Sequence, residues 1–273
     1  MKVSVFGAGG FIGSNFKSHS VHEIESLNRD SLQPTYSDVL YLVGTTDNYN
    51  ILTNPVVDIE VNLLLLIQNL ERLRSQFGTF TFNFVSSWFV YGEAQEPPFA
   101  ESGPCKPKGF YSISKYAAEL YIESYCKTFG INYRIIRLAN VFGQNDGGIS
   151  KKKNALQYLI SRIKNNEKIE LYDGGKFYRD YIDVRDVVSA IDMIISSDLI
   201  DEIVNVGTGV PTQFRGLILE ARRAFNSNSE IESIPIPAFH KQVQVKDAWL
   251  DIRKLNSLGF IIQHPVLTEI KNL

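Results

Sequence analysis

Short apolar runs alternate with stretches of helical periodicity through the first two thirds of the chain. Val3–Phe6, Glu23–Leu27, Val39–Val43, Thr81–Val85 and Tyr133–Leu138 read as strands. Between them, Phe11–Ser18, Val61–Phe77 and Ser112–Phe129 read as helices, and Leu66, Leu70, Leu73 and Phe77 recur at helical spacing in the second. Strands alternating with helices predict an α/β fold, a doubly wound parallel sheet covered on both faces. The connection from Arg29 to Val39 is too short for the usual crossover of a dozen or more residues, so a bare loop is expected there.

The texture changes after Gly143. The polar stretch GQNDGGISKKKN precedes an amphipathic helix (Ala155, Leu156, Leu159, Ile160, Ile163) and a short strand, Lys168–Tyr172. YRDYIDVRDVVSAIDMII returns to α/β character, and the C-terminal part is short, mixed and punctuated by proline. This predicts a large domain from residues 1–142 and 176–206, and a smaller one from 143–175 and 207–273. The lysines at 151–153 read as a solvated run.

Composition narrows the function classes. The 273 residues, 44% hydrophobic and 21% charged, suit a soluble globular protein of one large or two modest domains. A net charge of −2 and a pI near 6.1 argue against a nucleic-acid partner, which demands a basic face. Cys105 and Cys126 form no CxxC, and His19, His22, His240 and His264 have no metal-ligand spacing, so neither a disulfide framework nor a metal site is expected. No apolar run approaches the ~20 residues of a membrane helix. The glycine-rich N-terminus lacks a small-residue cleavage site and reads as mature structure. A cytoplasmic enzyme without metal is the expectation.

Two motifs carry chemistry. Gly7-Ala-Gly-Gly10-Phe-Ile-Gly13 lies between a strand and a helix, where glycines permit a tight turn and close approach to a pyrophosphate; a plain turn is the other reading. Tyr111-Ser-Ile-Ser-Lys115 places a phenol and an ammonium on one helical face, where the cation would lower the phenol pKa for acid/base work. A surface Tyr/Lys pair is the alternative.

In combination these motifs resemble the extended short-chain dehydrogenase/reductase family, of the NAD-dependent epimerase/dehydratase type that modifies nucleotide sugars. VFGAGGFIG resembles its cofactor loop, DVLYLVG its fourth strand, and Asn62 the asparagine opening the next helix. FVSSWFVYG, YSISKYAAE, RLANVFG, FYRDYIDVRDV and VNVGTG resemble later blocks in the family's order. The resemblance implies a Rossmann-type sheet with a smaller interleaved α/β substrate domain, a nicotinamide cofactor and a homodimer formed through two long helices. Ala117, Leu120 and Tyr121 would serve that dimer or core packing equally.

Carried over by residue, the resemblance implies that Ser87, Tyr111 and Lys115 are catalytic. Ser87 would hydrogen-bond the reacting sugar oxygen, Tyr111 exchange a proton with it, and Lys115 hold the nicotinamide ribose. Gly7, Gly10, Phe11, Ile12, Gly13, Asn28, Arg29, Val43, Gly44 and Asn62 would line the cofactor. Thr45, Ser87, Trp88 and Asn140 would face the substrate. Arg179 would fork onto its diphosphate, the alternative being a salt bridge with an aspartate, and Lys241, ten positions before Asp251, falls where many relatives carry a second phosphate-binding arginine.

Three departures bear on the reaction. Trp88 and Phe89 replace the Asp-Glu pair of sugar-nucleotide dehydratases, and the cysteine of 3,5-epimerase/reductases is also missing at Trp88, which either lines the pocket or packs in the core. At the end of the second strand Asn28 replaces the ribose-binding acid and Arg29 suits a 2′-phosphate, which favours NADP(H) over NAD, although Asp30 lies one position on. The short connection after Arg29 removes the adenine-contacting aspartate of relatives. A 4-ketoreductase of a 4-keto-6-deoxy sugar nucleotide is favoured, an NAD-dependent 4-epimerase is the alternative, and a non-catalytic nucleotide sensor is the remote one.

Overall fold

The computed structural model describes residues 1–29, 33–47, 49–147 and 154–273. Six parallel strands form the central sheet in the order β10-β5-β4-β3-β1-β2, with β1 Lys2–Phe6, β2 Glu23–Leu27, β3 Asp38–Tyr41, β4 Thr81–Ser87, β5 Asn132–Leu138 and β10 Glu202–Val206. The central strand β4 is buried from Phe82 to Ser87, as expected of a parallel strand covered on both faces. Its one amide side chain, Asn83, donates to the Val39 carbonyl (3.0 Å) and accepts from Arg134 (3.0 Å), so it is paired on both sides.

Helices cover both faces. On one side α1 (Phe11–His19) packs on α6 (Val184–Ser196), and Phe16, Val187, Ile191 and Ile195 seal them to Val3, Val5 and Val204. On the other, α3 (Leu65–Phe77) and α4 (Phe110–Phe129) bury Leu66, Leu70, Leu73, Ala118, Ile122 and Cys126 against Phe82 and Phe84. Burial of each leucine stabilises the sheet by roughly 1.5–3 kcal/mol. The doubly wound α/β architecture is therefore as the hydrophobic pattern predicts.

Boundaries moved by a few residues, with one informative difference. The segment expected to start a single helix at Val61 begins with a turn of α-helix, α2 (Val57–Ile59), then a π-helical stretch, Glu60–Leu64, before α3. A wider turn of this kind is common at functional sites. β2 and β3 are joined by residues 28–37 with no helix among the described ones. Asn69 of α3 donates to the Arg29 carbonyl (2.9 Å), and Glu25 accepts from the Thr35 amide and hydroxyl at 2.7 and 2.6 Å, which fastens this connection to its surroundings.

A third apolar cluster lies apart from the main sheet. It joins Phe142 of β6 (Asn140–Phe142) to α5 (Ala155–Lys164), to β7 (Ile169–Tyr172), and to Phe214, Leu217 and Ile218 of a helix that follows. β8 (Tyr178–Arg179) and β9 (Tyr181–Asp183) lead from it into α6, with β9 paired to β6. Beyond β10, β11 (Thr212–Gln213) pairs with β8, and α7 (Phe214–Ala224), β12 (Ile231–Ile234) and α8 (Ala238–Val243) complete this region. Asp180 clasps its pieces: the buried carboxylate accepts from Thr208 N and Oγ1, Gly209 N and Leu250 N. Asp30 and Lys151–Lys153 lie outside the described residues.

Candidate active site

The cofactor cradle is built at the end of β1. Gly7 turns the chain with φ +85, and Gly10 caps α1 with no side chain occupying the helix terminus. The first-turn amides of α1 are thereby left for an anion. A Cβ at Gly13 would run into the Gly7 carbonyl oxygen and stand 2.7 Å from the Ala8 Cα, so only glycine lets the helix close on the loop. At Gly9 nothing lies within 4 Å of an added Cβ, which leaves the loop open in front. These features fit a dinucleotide pyrophosphate, with Phe11 and Ile12 opening the helix. Val43 is buried and Gly44 follows it at the β3 end; a Cβ there would lie 3.2 Å from Asn62 Oδ1 and 3.5 Å from Lys115 Nζ. Strand end, asparagine and lysine thus converge.

Ser87 closes β4 and Tyr111 opens α4, and both line the same cavity. Burial drives the Tyr111 phenol up to about 12; the Ser87 hydroxyl pulls against this and the charge of Asp58 adds to it. The proximity of Lys115, expected to lower this phenol, is not the governing effect. Its ammonium turns to the Val85 carbonyl (2.6 Å) and lies 4.0 Å from the Phe84 ring centroid. Its neighbour Glu119 is taken by Arg137 at 2.6 Å, and burial brings Lys115 down to about 7. One of three ammonium donors is used by Val85, which leaves others for ribose hydroxyls.

Two residues that the sequence motifs do not mark, Asp58 and Ser114, join this centre. Asn62 Oδ1 accepts from Thr45 N (2.9 Å), and Asn62 Nδ2 donates to Thr45 Oγ1 and Ser114 Oγ, both at 2.8 Å. The Thr45 hydroxyl donates to Asp58 Oδ1 (2.5 Å). Asp58 and Asn62 are four positions apart on one helical face, and that spacing was the available clue.

Next to Ser87 and Tyr111 opens a cavity of about 550 Å³. Trp88 and Phe89 stack at 4.1 Å, and Phe89 meets Tyr111 edge-on at 6.1 Å. Trp88 satisfies both sequence readings: it lines the cavity and is 3% exposed within the core. Its indole N–H donates to Asn140 Oδ1 (3.3 Å), while Asn140 Nδ2 donates to the Asp180 carbonyl (2.9 Å). Arg179 lines the same wall but forms no salt bridge with an aspartate among the described residues. Its guanidinium donates to the carbonyls of Tyr178, Val245 and Lys246, between the rings of Trp88 and Phe177. Burial brings it down to about 10. Lys241, on α8, also lines the cavity. Asn28 and Arg29 stand at the far end of the sheet's edge, exposed and away from this cavity.

A glycine cradle at the first strand, a Ser/Tyr/Lys set at the ends of β4 and α4, and a second lobe walling a cavity define a nicotinamide-dependent enzyme of the extended short-chain dehydrogenase/reductase class. The model of the NAD dependent epimerase/dehydratase family matches residues 17–207, and the chain belongs to that family of nucleotide-sugar enzymes. It is 28% identical over 291 aligned positions to a putative UDP-glucose 4-epimerase of Methanocaldococcus jannaschii, covering 94% of this chain and 92% of that one. It is 27% identical to the GDP-6-deoxy-D-mannose reductase of Pseudomonas aeruginosa, covering 80% and 78%. Its fold is that of the Thermus thermophilus UDP-glucose 4-epimerase, solved with NAD: TM-score 0.86 at 24% identity, covering 99% and 97% of the chains. Among the described residues no helix is long and apolar enough to cross a membrane.

Proposed function

We propose that the protein is an NADPH-dependent reductase that acts at C4 of a 4-keto-6-deoxy sugar nucleotide. The carrying observation is the placement of Ser87 and Tyr111 side by side at the mouth of an aromatic-walled cavity, where a neutral phenol can hand its proton to a reduced carbonyl oxygen. A reduced nicotinamide at Gly44, Asn62 and Lys115 would supply the hydride. Ser87 hydrogen-bonds the substrate carbonyl oxygen, and Tyr111 delivers the proton that completes the alcohol. Phe89 and Trp88 stand where dehydratases place their acid and base, so elimination of water has no catalyst here.

Exposed Arg29 beyond β2, with Asn28 in place of a carboxylate, supports a 2′-phosphate and hence NADP(H). Arg179, buried without a carboxylate partner among the described residues, and Lys241 suit the substrate's diphosphate. The third apolar cluster, drawn mainly from α5, β7 and α7, supports a substrate lobe of residues 143–175 and 207–273 set on a cofactor lobe of 1–142 and 176–206, with Phe142 and Tyr181 joining the former and Val245, Leu250 and Phe260 packing in the latter. Phe110, Ile113, Leu120 and Tyr121 are exposed along α4, and this favours dimerisation over core packing for the last two; sedimentation tests it. Free Cys105 and Cys126 accord with the cytoplasm.

Purified protein given NADPH and a 4-keto-6-deoxy sugar nucleotide should consume the nicotinamide absorbance and return a product heavier by two hydrogens. The 4-epimerase reading, favoured by the similarity to the Methanocaldococcus protein, takes its place if the protein carries NAD and interconverts C4 epimers with no added cofactor.

A further inference from the structure

From β12, whose Ile231 packs on the third apolar cluster, the chain runs through Pro235, Pro237 and α8 to Val245, which is buried in the main cluster. Ile236, His240, Lys241, Gln244 and Val245 of this stretch line the cavity. Both ends are fixed. β12 pairs with β7; beyond α8, Arg179 donates to the Val245 and Lys246 carbonyls, and Ala248 N donates to the Tyr178 carbonyl (3.1 Å). The middle is not built to stand alone. α8 has six residues, of which Val243 is the buried one, and a helix that short has no stability of its own in water. Its support comes from elsewhere in the molecule. Tyr49, in the loop after β3, meets His240 Nδ1 at 3.2 Å and the Phe239 ring at 5.2 Å, and the His240 ring lies 4.9 Å from that of Tyr172. Lys108 donates to the carbonyls of Lys241 (3.5 Å) and Gln244 (3.3 Å), at the C-terminal end of α8, where a cation complements the helix dipole.

We propose that residues 237–244 form a strap over the cavity, and that Tyr49 and Lys108 are the positioning residues that hold it shut. Each tie is weak by itself: one is a hydrogen bond to an imidazole, the other an ammonium shared between two carbonyls and the Glu93 carboxylate (2.6 Å). Weak ties suit a part that has to open, since the cavity beneath must admit and release its ligand. Lys108 is also placed where closure reaches the rest of the site. It stands three positions before Tyr111, and its partner Glu93 follows the turn Trp88–Tyr91 that begins at Ser87. A closed strap is therefore fastened to the two segments that carry Ser87 and Tyr111, and an open one leaves both.

The link from strap to catalysis rests on the reductase reading; the strap itself does not, since its ties lie within the protein. For a sugar nucleotide in the cavity, closure carries Lys241 against the diphosphate and shuts bulk water from the reacting carbon. Release of Tyr49 and Lys108 lets the product leave.

Hydrogen–deuterium exchange of the whole protein reads the strap with no ligand present. The amides of Lys241 and Gln244 donate to the Pro237 and His240 carbonyls at 3.1 and 3.0 Å, so their exchange reports the opening of α8. In Tyr49→Phe and in Lys108→Met these amides should exchange about fivefold faster, the effect of losing one modest hydrogen bond, while α5 and α7 exchange as in wild type. Lys108→Arg keeps donors at the carbonyls and should stay within about twofold of wild type. Unchanged exchange at α8 in both Tyr49→Phe and Lys108→Met overturns the proposal, and so does an acceleration shared equally by α5 and α7, which is general loosening. Steady-state kinetics ties the strap to the site. With NADPH and a 4-keto-6-deoxy sugar nucleotide, Lys108→Met should raise KM severalfold with kcat undiminished; a lowered kcat at unchanged KM puts Lys108 in the chemistry and overturns its role on the strap. Faster α8 exchange in both variants of a protein that reduces no 4-keto sugar nucleotide sinks the reductase reading and leaves the strap standing.

Discussion

The two ends of the proposed cofactor cleft are built on different principles. At the end proposed for the nicotinamide, Thr45, Asp58, Asn62, Tyr111, Ser114 and Lys115 are locked by hydrogen bonds of 2.5–2.9 Å, with Asp58, Asn62, Ser114 and Lys115 almost wholly buried. At the end proposed for the adenine, Asn28 and Arg29 are exposed, and residues 28–37 cross to β3 with neither helix nor extra strand among the described ones. Chemistry at a carbonyl requires donors placed to a fraction of an ångström, and a buried polar network supplies that. Holding an adenine requires affinity alone, which tolerates a shortened connection.

The sharpest way to break the comparison is Tyr111→Phe. Removing the proton donor while keeping the ring should lower turnover by about 10²–10⁴-fold. Cofactor affinity, measured by fluorescence titration, should stay within about twofold, since the phenol lies on the substrate side. A variant that retained wild-type turnover would remove Tyr111 from the chemistry and strengthen the nucleotide-sensor alternative.

Lys115 tests the same end through stability. Its folded value near 7 lies below the ordinary lysine value of 10.5, so the unfolded chain binds the extra proton between these limits. The lysine therefore destabilises the cofactor-free fold fully below pH 7, and that penalty fades as pH rises from about 7 toward 10. Lys115→Met, which fills the volume without charge, should be more stable than wild type at pH 6 by a few kcal/mol, of the order a multi-unit shift implies. The gap should narrow steadily up to about pH 10 in denaturant titrations. A gap independent of pH would mean that the ammonium is not the source.

Why some of this was readable from sequence and some was not follows from the same contrast. Glycine spacing, the Tyr111/Lys115 pair and the alternation of apolar runs are local in the chain, so the sheet, the glycine turn and the placement of Tyr111 and Lys115 on one helix were legible. The short 28–37 connection was legible too, because a missing helix is a matter of length. The direction of Lys115, toward Val85 and Phe84 rather than toward the phenol, depends on side chains about thirty positions away on β4. Arg179 shows the same limit: its partners are carbonyls at 245 and 246, which carry no residue-type signal. Trp88 was left with two readings because a residue that walls a cavity can also be a core residue. Asp58 escaped notice because its meaning arises only when α2 folds onto α4.

Gly13→Ala probes the junction between the two ends. A methyl driven into the Gly7 oxygen and 2.7 Å from the Ala8 Cα must push α1 off the loop, and both obstacles are backbone. Overpacking of this kind costs about 1–3 kcal/mol. Both NAD and NADPH affinity should fall together, since the cradle serves either. A variant as stable as wild type with unchanged binding would show that the helix adjusts without cost.

The smallest effect is expected at the adenine end and discriminates most finely. Arg29→Ala removes an exposed cation from the end of β2 without disturbing the backbone carbonyl that Asn69 holds. If that cation receives the 2′-phosphate, NADPH affinity should fall about tenfold, or ~1.4 kcal/mol, typical of a charge-assisted hydrogen bond, while NAD affinity stays within about twofold. The loss should shrink as salt is raised, because an exposed ion pair is screened over about 8–10 Å at ordinary ionic strength. Equal losses for both cofactors would instead place Arg29 against the adenine or the pyrophosphate. Tighter binding of NAD than NADPH in wild type would remove the basis for an exchangeable NADPH, and with it the main support at this end of the cleft for the reductase over the epimerase.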